Sequence, residues 1–148
     1  MLPKEVFLSH SSKDRLFASK VAKQMRGHGI PVWYSETNIV GAQQWHDEIG
    51  EALKRCNWFV LILSPHSVKS NWVKNELIFA LDHHRYKRKI VPLLYKTCKY
   101  EHLSWTLPGF QIVDFRQSAD DGYRELLRVW DLVYKRKTAA RKASSKKR

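Results

Sequence analysis

The sequence predicts an α/β domain of the three-layer, flavodoxin-like kind, a five-stranded parallel sheet flanked by helices. Three observations predict it: five apolar runs alternate with four helical patterns, the runs are apolar at nearly every position, and 148 residues suit one domain with its own core. Continuous apolar character marks strands covered on both faces, the condition of a parallel sheet between two layers of helices. A β-α-β-α-β order with right-handed crossovers then gives the doubly wound arrangement.

The strand runs are KEVFLS at 4–9, IPVWY at 30–34, WFVLIL at 58–63, KIVPLLY at 89–95 and QIVDF at 111–115. Pro92 is awkward in the fourth, because proline donates no ladder hydrogen bond and prefers an edge strand or a bulge. Between the first two runs, Ser11 and Asp14 have capping-box spacing, Phe17, Val21 and Met25 follow on one helical face, and Gly27 and Gly29 end the helix. Trp45, Ile49, Ala52 and Leu53 form the second stripe. The third runs through Val73, Leu77, Ala80, Leu81 and His84, and the fourth through Tyr123, Leu126, Leu127, Trp130 and Val133. Residues 96–110 show no clear period and read as an irregular connection with a short helical turn.

The net charge is +13, but eight of the cations lie from Lys135 onward, beyond the last acid, Asp131. Residues 1–136 therefore read as the domain and 137–148 as a basic tail. With no aromatic among its charges to stack on bases, the tail reads first as a solubilising extension. Nucleic acid binding is expected only through this tail. Cys56 and Cys98 lack CxxC spacing and a histidine at ligand distance in sequence, which argues against a zinc site or disulfide framework and for a reducing compartment. The opening residues turn polar too soon for a signal peptide, and no apolar run has the length of a membrane span, so a soluble cytoplasmic protein is expected, without membrane contact.

The segment SVKSNWVKNEL at 67–77 follows the most apolar strand run. Open α/β sheets place their ligand crevice at such a junction of strand, polar turn and helix. Trp72 and Glu76 stand four residues apart on that helix and so share a face, offering an aromatic surface and a carboxylate to the crevice. That pairing suits a site that holds a nucleotide and breaks a glycosidic bond. Ser9 and His10, at the end of the first strand, reach the mouth of the same crevice. Each has an ordinary alternative: a helix glutamate pairs with lysine in solvent, an aromatic covers a core edge, a serine caps a helix, and a turn histidine is solvated. Neither a G-x-G-x-x-G nor a P-loop motif is present, so any dinucleotide would be a consumed substrate and not a resident cofactor. A phosphorelay receiver is excluded because the first strand ends in Ser9 and His10 instead of paired acids.

Taken together, VFLSHSSKD at 6–14, GIPVWYSETNIVGAQQW at 29–45, WFVLILSPHSVKSNWVKNEL at 58–77 and KIVPLLY at 89–95 resemble the TIR (Toll/interleukin-receptor/resistance protein) domain family, bacterial type, from Glu5 to Trp130. The family includes signalling adaptors and enzymes that cleave NAD. The resemblance implies that Glu76 matches the enzymes' glutamate, that Ser9 and His10 lie in the substrate-contacting loop, that Trp72 lines the pocket, and that Tyr95 forms another wall. It also implies that residues 35–44 form a mobile loop serving assembly and pocket opening, although Val40, Gly41 and Ala42 replace the frequent Pro-Gly-Asp. The implied activity is NAD glycohydrolysis to nicotinamide plus ADP-ribose or a cyclic isomer, in defence or immune signalling. Self-assembly or a TIR-containing partner would activate it. The alternative is a non-catalytic interaction module acting as a signalling adaptor.

Cleavage of a nicotinamide–ribose bond leaves an oxocarbenium-like sugar, which one carboxylate can stabilise. Because nicotinamide departs as a neutral base, no general acid is required. Deleting residues 137–148 is expected to shift the thermal midpoint by less than about 1 °C while weakening salt-sensitive binding to polyanions. Melting curves and heparin-column elution of the full and shortened chains check this, and an earlier melt would show that the tail packs.

Overall fold

The computed structural model describes residues 2–35 and 42–136. Strand β1 (Val6–Ser9) leads through a short 3-10 turn into α1 (Arg15–Gly27), followed by β2 (Val32–Trp33), α2 (Ala42–Arg55), β3 (Trp58–Leu63) and α3 (Asn71–Asp82). Then come β4 (Ile90–Leu94), β5 (Val113–Asp114) and α4 (Ala119–Arg128). The five strands pair in parallel in the order β2-β1-β3-β4-β5. This is the flavodoxin-like architecture that the alternating runs predict.

Strand alternation decides which helix each residue meets. Val6, Leu8, Val60, Ile62 and Leu93 pack toward α1 and α4, while Phe7, Phe59, Leu61 and Leu63 pack toward α2 and α3. With both faces filled, the strands read as unbroken apolar runs. Within α2, Ile49, Ala52 and Leu53 are buried as their spacing predicts, whereas the side chain of Trp45 lies outside the described residues.

The outer strands are shorter than their sequence runs. Each has one neighbour, and Ile30 donates its N–H to the Met25 carbonyl at the end of α1, not to a strand. Gly29, at φ 86°, makes that turn. Pro92 lies in an interior strand, contrary to its usual preference. Tyr95 N–H bonds to Leu63 of β3 while Leu94 C=O accepts from Phe115, so odd residues of β4 face β3 and even ones face β5. Pro92 therefore points its missing donor toward β5, one step before that pairing starts at Leu93 and Val113. The β4–β5 ladder accordingly begins only past the proline.

Three local expectations are corrected. Ser11 caps only the 3-10 turn, accepting from Lys13 N–H at 3.3 Å, while the Asp14 carboxylate turns inward to Ser64. Helix α3 stops at Asp82 because His83 is extended, so His84 is exposed and Tyr86 of the next turn fills the core instead. Helix α4 ends at Arg128, which leaves Val133 77% exposed although Trp130 still packs edge-on against Trp58. Ser70 and Ser118 cap α3 and α4, accepting from Val73 N–H and Asp121 N–H at 3.2 Å. Among the described residues, no helix is long and apolar enough to cross a membrane.

Gly122 of α4 lies directly under Phe115, so an added Cβ would stand 2.3 Å from that ring. Phe115 is itself held edge-on by Phe17 and Tyr123 and has little room to retreat. Gly122→Ala is therefore expected to destabilise by about 1–3 kcal/mol despite alanine's better helix propensity. A urea titration checks it, and a stabilised variant would refute the packing.

Candidate functional site

From β1 the chain steps outward to β2 and returns to lay β3 on the other side of β1. The helices that follow β1 and β3 cover opposite faces, so their first turns diverge above the strand ends and open a crevice. A cavity of about 380 Å³ occupies it. His10, Ser11, Ser12 and Arg15 line it from the β1–α1 connection, Trp33 and Ser35 from the end of β2, and Ser70, Trp72 and Glu76 from α3.

Glu76 is only 8% exposed, unusual for a helix carboxylate. Its neighbours Val73, Leu77 and Ala80 face the core, so the apolar stripe carries the carboxylate inward with it. Ser9 donates its hydroxyl to Glu76 Oε1 at 2.7 Å, joining the end of β1 to α3. That bond favours the anion, but desolvation outweighs it and pushes the Glu76 carboxyl up to about 7. Near neutrality the group is poised between acid and carboxylate.

Trp72, one turn earlier, is 38% exposed and presents its ring at the mouth, near the His46 ring. A second cavity of about 530 Å³ lies between α2 and α3, and Trp72 and Glu76 belong to both. The tryptophan and the glutamate thus form a partition.

His10 is not the solvated turn residue its type suggests. Its Nδ1 is buried without a hydrogen-bond partner, its ring tilts against Tyr34, and desolvation holds its pKa below the usual imidazole value. It enters the crevice as a neutral ring. Ser9 is fully buried and commits its proton to Glu76, so it positions the carboxylate instead of lining the cavity. Tyr95 stands elsewhere. It shares the β4 face that meets α1, stacks flat on Phe17 at 3.9 Å and carries Lys96 over its ring. Of the segment predicted as a loop at 35–44, Ser35 lines the site; residues 36–41, including Gly41, lie outside the described residues, and α2 is described from Ala42.

Sequence reasoning overlooked Arg15 and Trp33 as walls, although both follow from a crevice at the ends of β1 and β2. It also missed a buried clamp in which Ser64 donates to Asp14 at 2.5 Å and accepts from the Ser67 and His66 N–H groups. The clamp ties the start of α1 to the turn that launches α3. Among the described residues, no cluster of histidine, cysteine and acidic side chains is arranged to hold a metal ion.

A sequence profile described as the TIR domain matches residues 6–127. The chain belongs to the TIR domain family. A 2′ cyclic ADP-D-ribose synthase of Bacteroides thetaiotaomicron is 29% identical over 104 residues, which are 69% of this chain and 36% of the relative. An NAD(+) hydrolase of Paracoccus denitrificans is 28% identical over 107 residues, 70% of this chain and 36% of that one. This TIR domain thus spans about a third of the length of these relatives. Among solved structures, the TIR domain of a Toll-related receptor from Hydra magnipapillata superposes with a TM-score of 0.68 at 20% identity, covering 84% of this chain and 95% of its own. The heterodimer of the RPS4 and RRS1 TIR domains gives 0.62 at 18% identity, covering 85% and 95%. Both share the fold.

The buried carboxyl makes stability depend on pH. Between about 4.5 and about 7 the folded chain keeps a proton on Glu76 that the unfolded chain has lost, so stability falls as pH rises through that window. Over the whole window the Glu76 contribution falls by roughly 3 kcal/mol. Glu76→Gln lacks this titration, and its stability relative to wild type should improve by about that amount between pH 4.5 and 7.5. Urea titrations across pH check it, and parallel curves would show the carboxyl to be normally hydrated.

Proposed function

We propose that this TIR domain cleaves the nicotinamide–ribose bond of NAD, with Glu76 as the catalytic carboxylate. The observation that carries the reading is Glu76 itself, a nearly buried carboxyl fixed by Ser9 at a cavity that also offers an aromatic face. The names of the relatives, an NAD(+) hydrolase and a 2′ cyclic ADP-D-ribose synthase, support it.

In this reading Trp72 and Trp33 offer flat surfaces to the substrate's rings, Arg15 and the hydroxyls of Ser11 and Ser12 take the pyrophosphate, and neutral His10 offers a hydrogen bond. Ionised Glu76 faces the nicotinamide ribose. As the C1′–N1 bond breaks, its electron pair leaves with neutral nicotinamide and positive charge builds on the sugar beside the carboxylate. Little water surrounds Glu76 to screen that attraction, so the carboxylate is worth more there than in solvent. Water then adds to C1′ and loses a proton, giving ADP-ribose; capture by a nucleophile within the same molecule gives a cyclic isomer. NAD is consumed and no resident cofactor takes part.

The reaction would run in the cytoplasm in defence signalling, activated by TIR–TIR self-assembly or a TIR-containing partner. Assembly of such domains has a precedent in the RPS4 and RRS1 heterodimer.

Glu76→Gln keeps volume and hydrogen bonding but supplies no charge, and is expected to lower NAD turnover about a hundredfold or more with the domain folded. Trp72→Ala is expected to act chiefly on KM. For wild type, kcat/KM should rise with pH through about 7 as Glu76 ionises, and kcat should rise at lower pH, since a bound nicotinamide cation favours the carboxylate. Chromatography of products over a protein dilution series measures all of these. Equal consumption by wild type and Glu76→Gln would remove the catalytic role. No consumption by either, even when clustered on a surface, would leave the domain as an interaction module.

A further inference from the structure

At the amino-terminal edge of the sheet, opposite the crevice, the link from α3 to β4 carries a dense run of cations. His84, Arg85, Lys87, Arg88 and Lys89 alone line a hollow of about 430 Å³ there. The backbone is held firmly: Tyr86 N–H bonds to His83, Lys87 N–H to His84 and Lys89 N–H to Tyr86, each within 3.0 Å. Tyr86 is fully buried and its hydroxyl donates to the Leu53 carbonyl, which also accepts from Arg85 at 3.2 Å. Among the described residues, no ion pair neutralises Lys87, Arg88 or Lys89. Arg88 adopts φ 63°, a left-handed conformation costly for a side chain with a Cβ. A glycine would meet the demands of the turn at less cost, so an arginine there is explained better by its charge than by the fold.

A second hollow of about 440 Å³ adjoins the first and shares His84, Lys87 and Arg88 with it. Its remaining walls include Leu81, Ile90 and Phe110, together with Asp82 as an acceptor. A cationic hollow with guanidinium forks beside an apolar, aromatic one matches a ligand with a phosphate at one end and a flat base at the other. We propose that this edge of the sheet binds a nucleotide, its phosphate among Arg85, Lys87, Arg88 and Lys89 and its base against Leu81, Ile90 and Phe110. The same chemistry is presented by a free nucleotide and by one unit of a single-stranded nucleic acid.

The test is calorimetric titration of the full chain with AMP, inorganic phosphate and a (dA)10 oligonucleotide at low and moderate salt. AMP should bind more tightly than inorganic phosphate, and affinity should fall with salt. The pair Lys87→Gln with Lys89→Gln should weaken AMP at least tenfold. Phe110→Ala should weaken AMP but not phosphate. Arg88→Gly removes the charge while relieving the backbone, so it should fold at least as stably as wild type and still bind several-fold more weakly. None of these changes should alter NAD consumption. Binding of (dA)10 far tighter than AMP would identify nucleic acid as the source, and comparable affinities a free nucleotide. Absence of AMP binding, equal affinity for AMP and phosphate, or affinity unchanged in the charge variants because the tail or the crevice does the binding, would each overturn the proposal.

Discussion

The hydrogen bond from Ser9 to Glu76 is the constraint on which the crevice depends. It joins the end of the interior strand β1 to the second turn of α3, across 67 residues of sequence. A carboxylate on an apolar helix face would ordinarily swing to water, because an ion without partners in a protein interior is expensive. The serine hydroxyl gives it one fixed partner, and the cavity beside it gives access to a second. Burial and readiness therefore come from the same placement.

Around that bond the other elements act as supports. Ser70 sets where α3 begins, and so sets that Trp72 and Glu76 occupy successive turns of one face. The Asp14–Ser64 clamp holds the starts of α1 and α3 at a fixed spacing. The width of the crevice is therefore a property of buried polar contacts, which are costly to break singly because each break strands an unpaired group. The shared wall of Trp72 and Glu76 also means that the hydration of the carboxyl depends on both cavities.

Much of this was legible in the residues. Unbroken apolar runs revealed a sheet covered on both sides, and the spacing of Trp72 and Glu76 revealed a shared face. The depth of Glu76 was not legible, since helical periodicity places a residue on a face but does not say how closely the neighbouring strand approaches it. The enclosure of His10 was not legible for a similar reason: residue type points to solvent, while the ring of Tyr34, from a distant segment, packs against it. Tyr95 could have been placed correctly, for Val91, Leu93 and Tyr95 alternate onto one face of β4 and that face belongs to α1. The length of β2 reflects the lack of a neighbour on one side, which composition does not encode.

Pro92 has an effect beyond its own strand. With no donor to offer, it ends the β4–β5 ladder at Leu93, and β5 remains a two-residue edge. So short a border gives a passing chain almost no row of free backbone groups to zip onto. The proline thus guards this flank of the sheet against strand-by-strand aggregation.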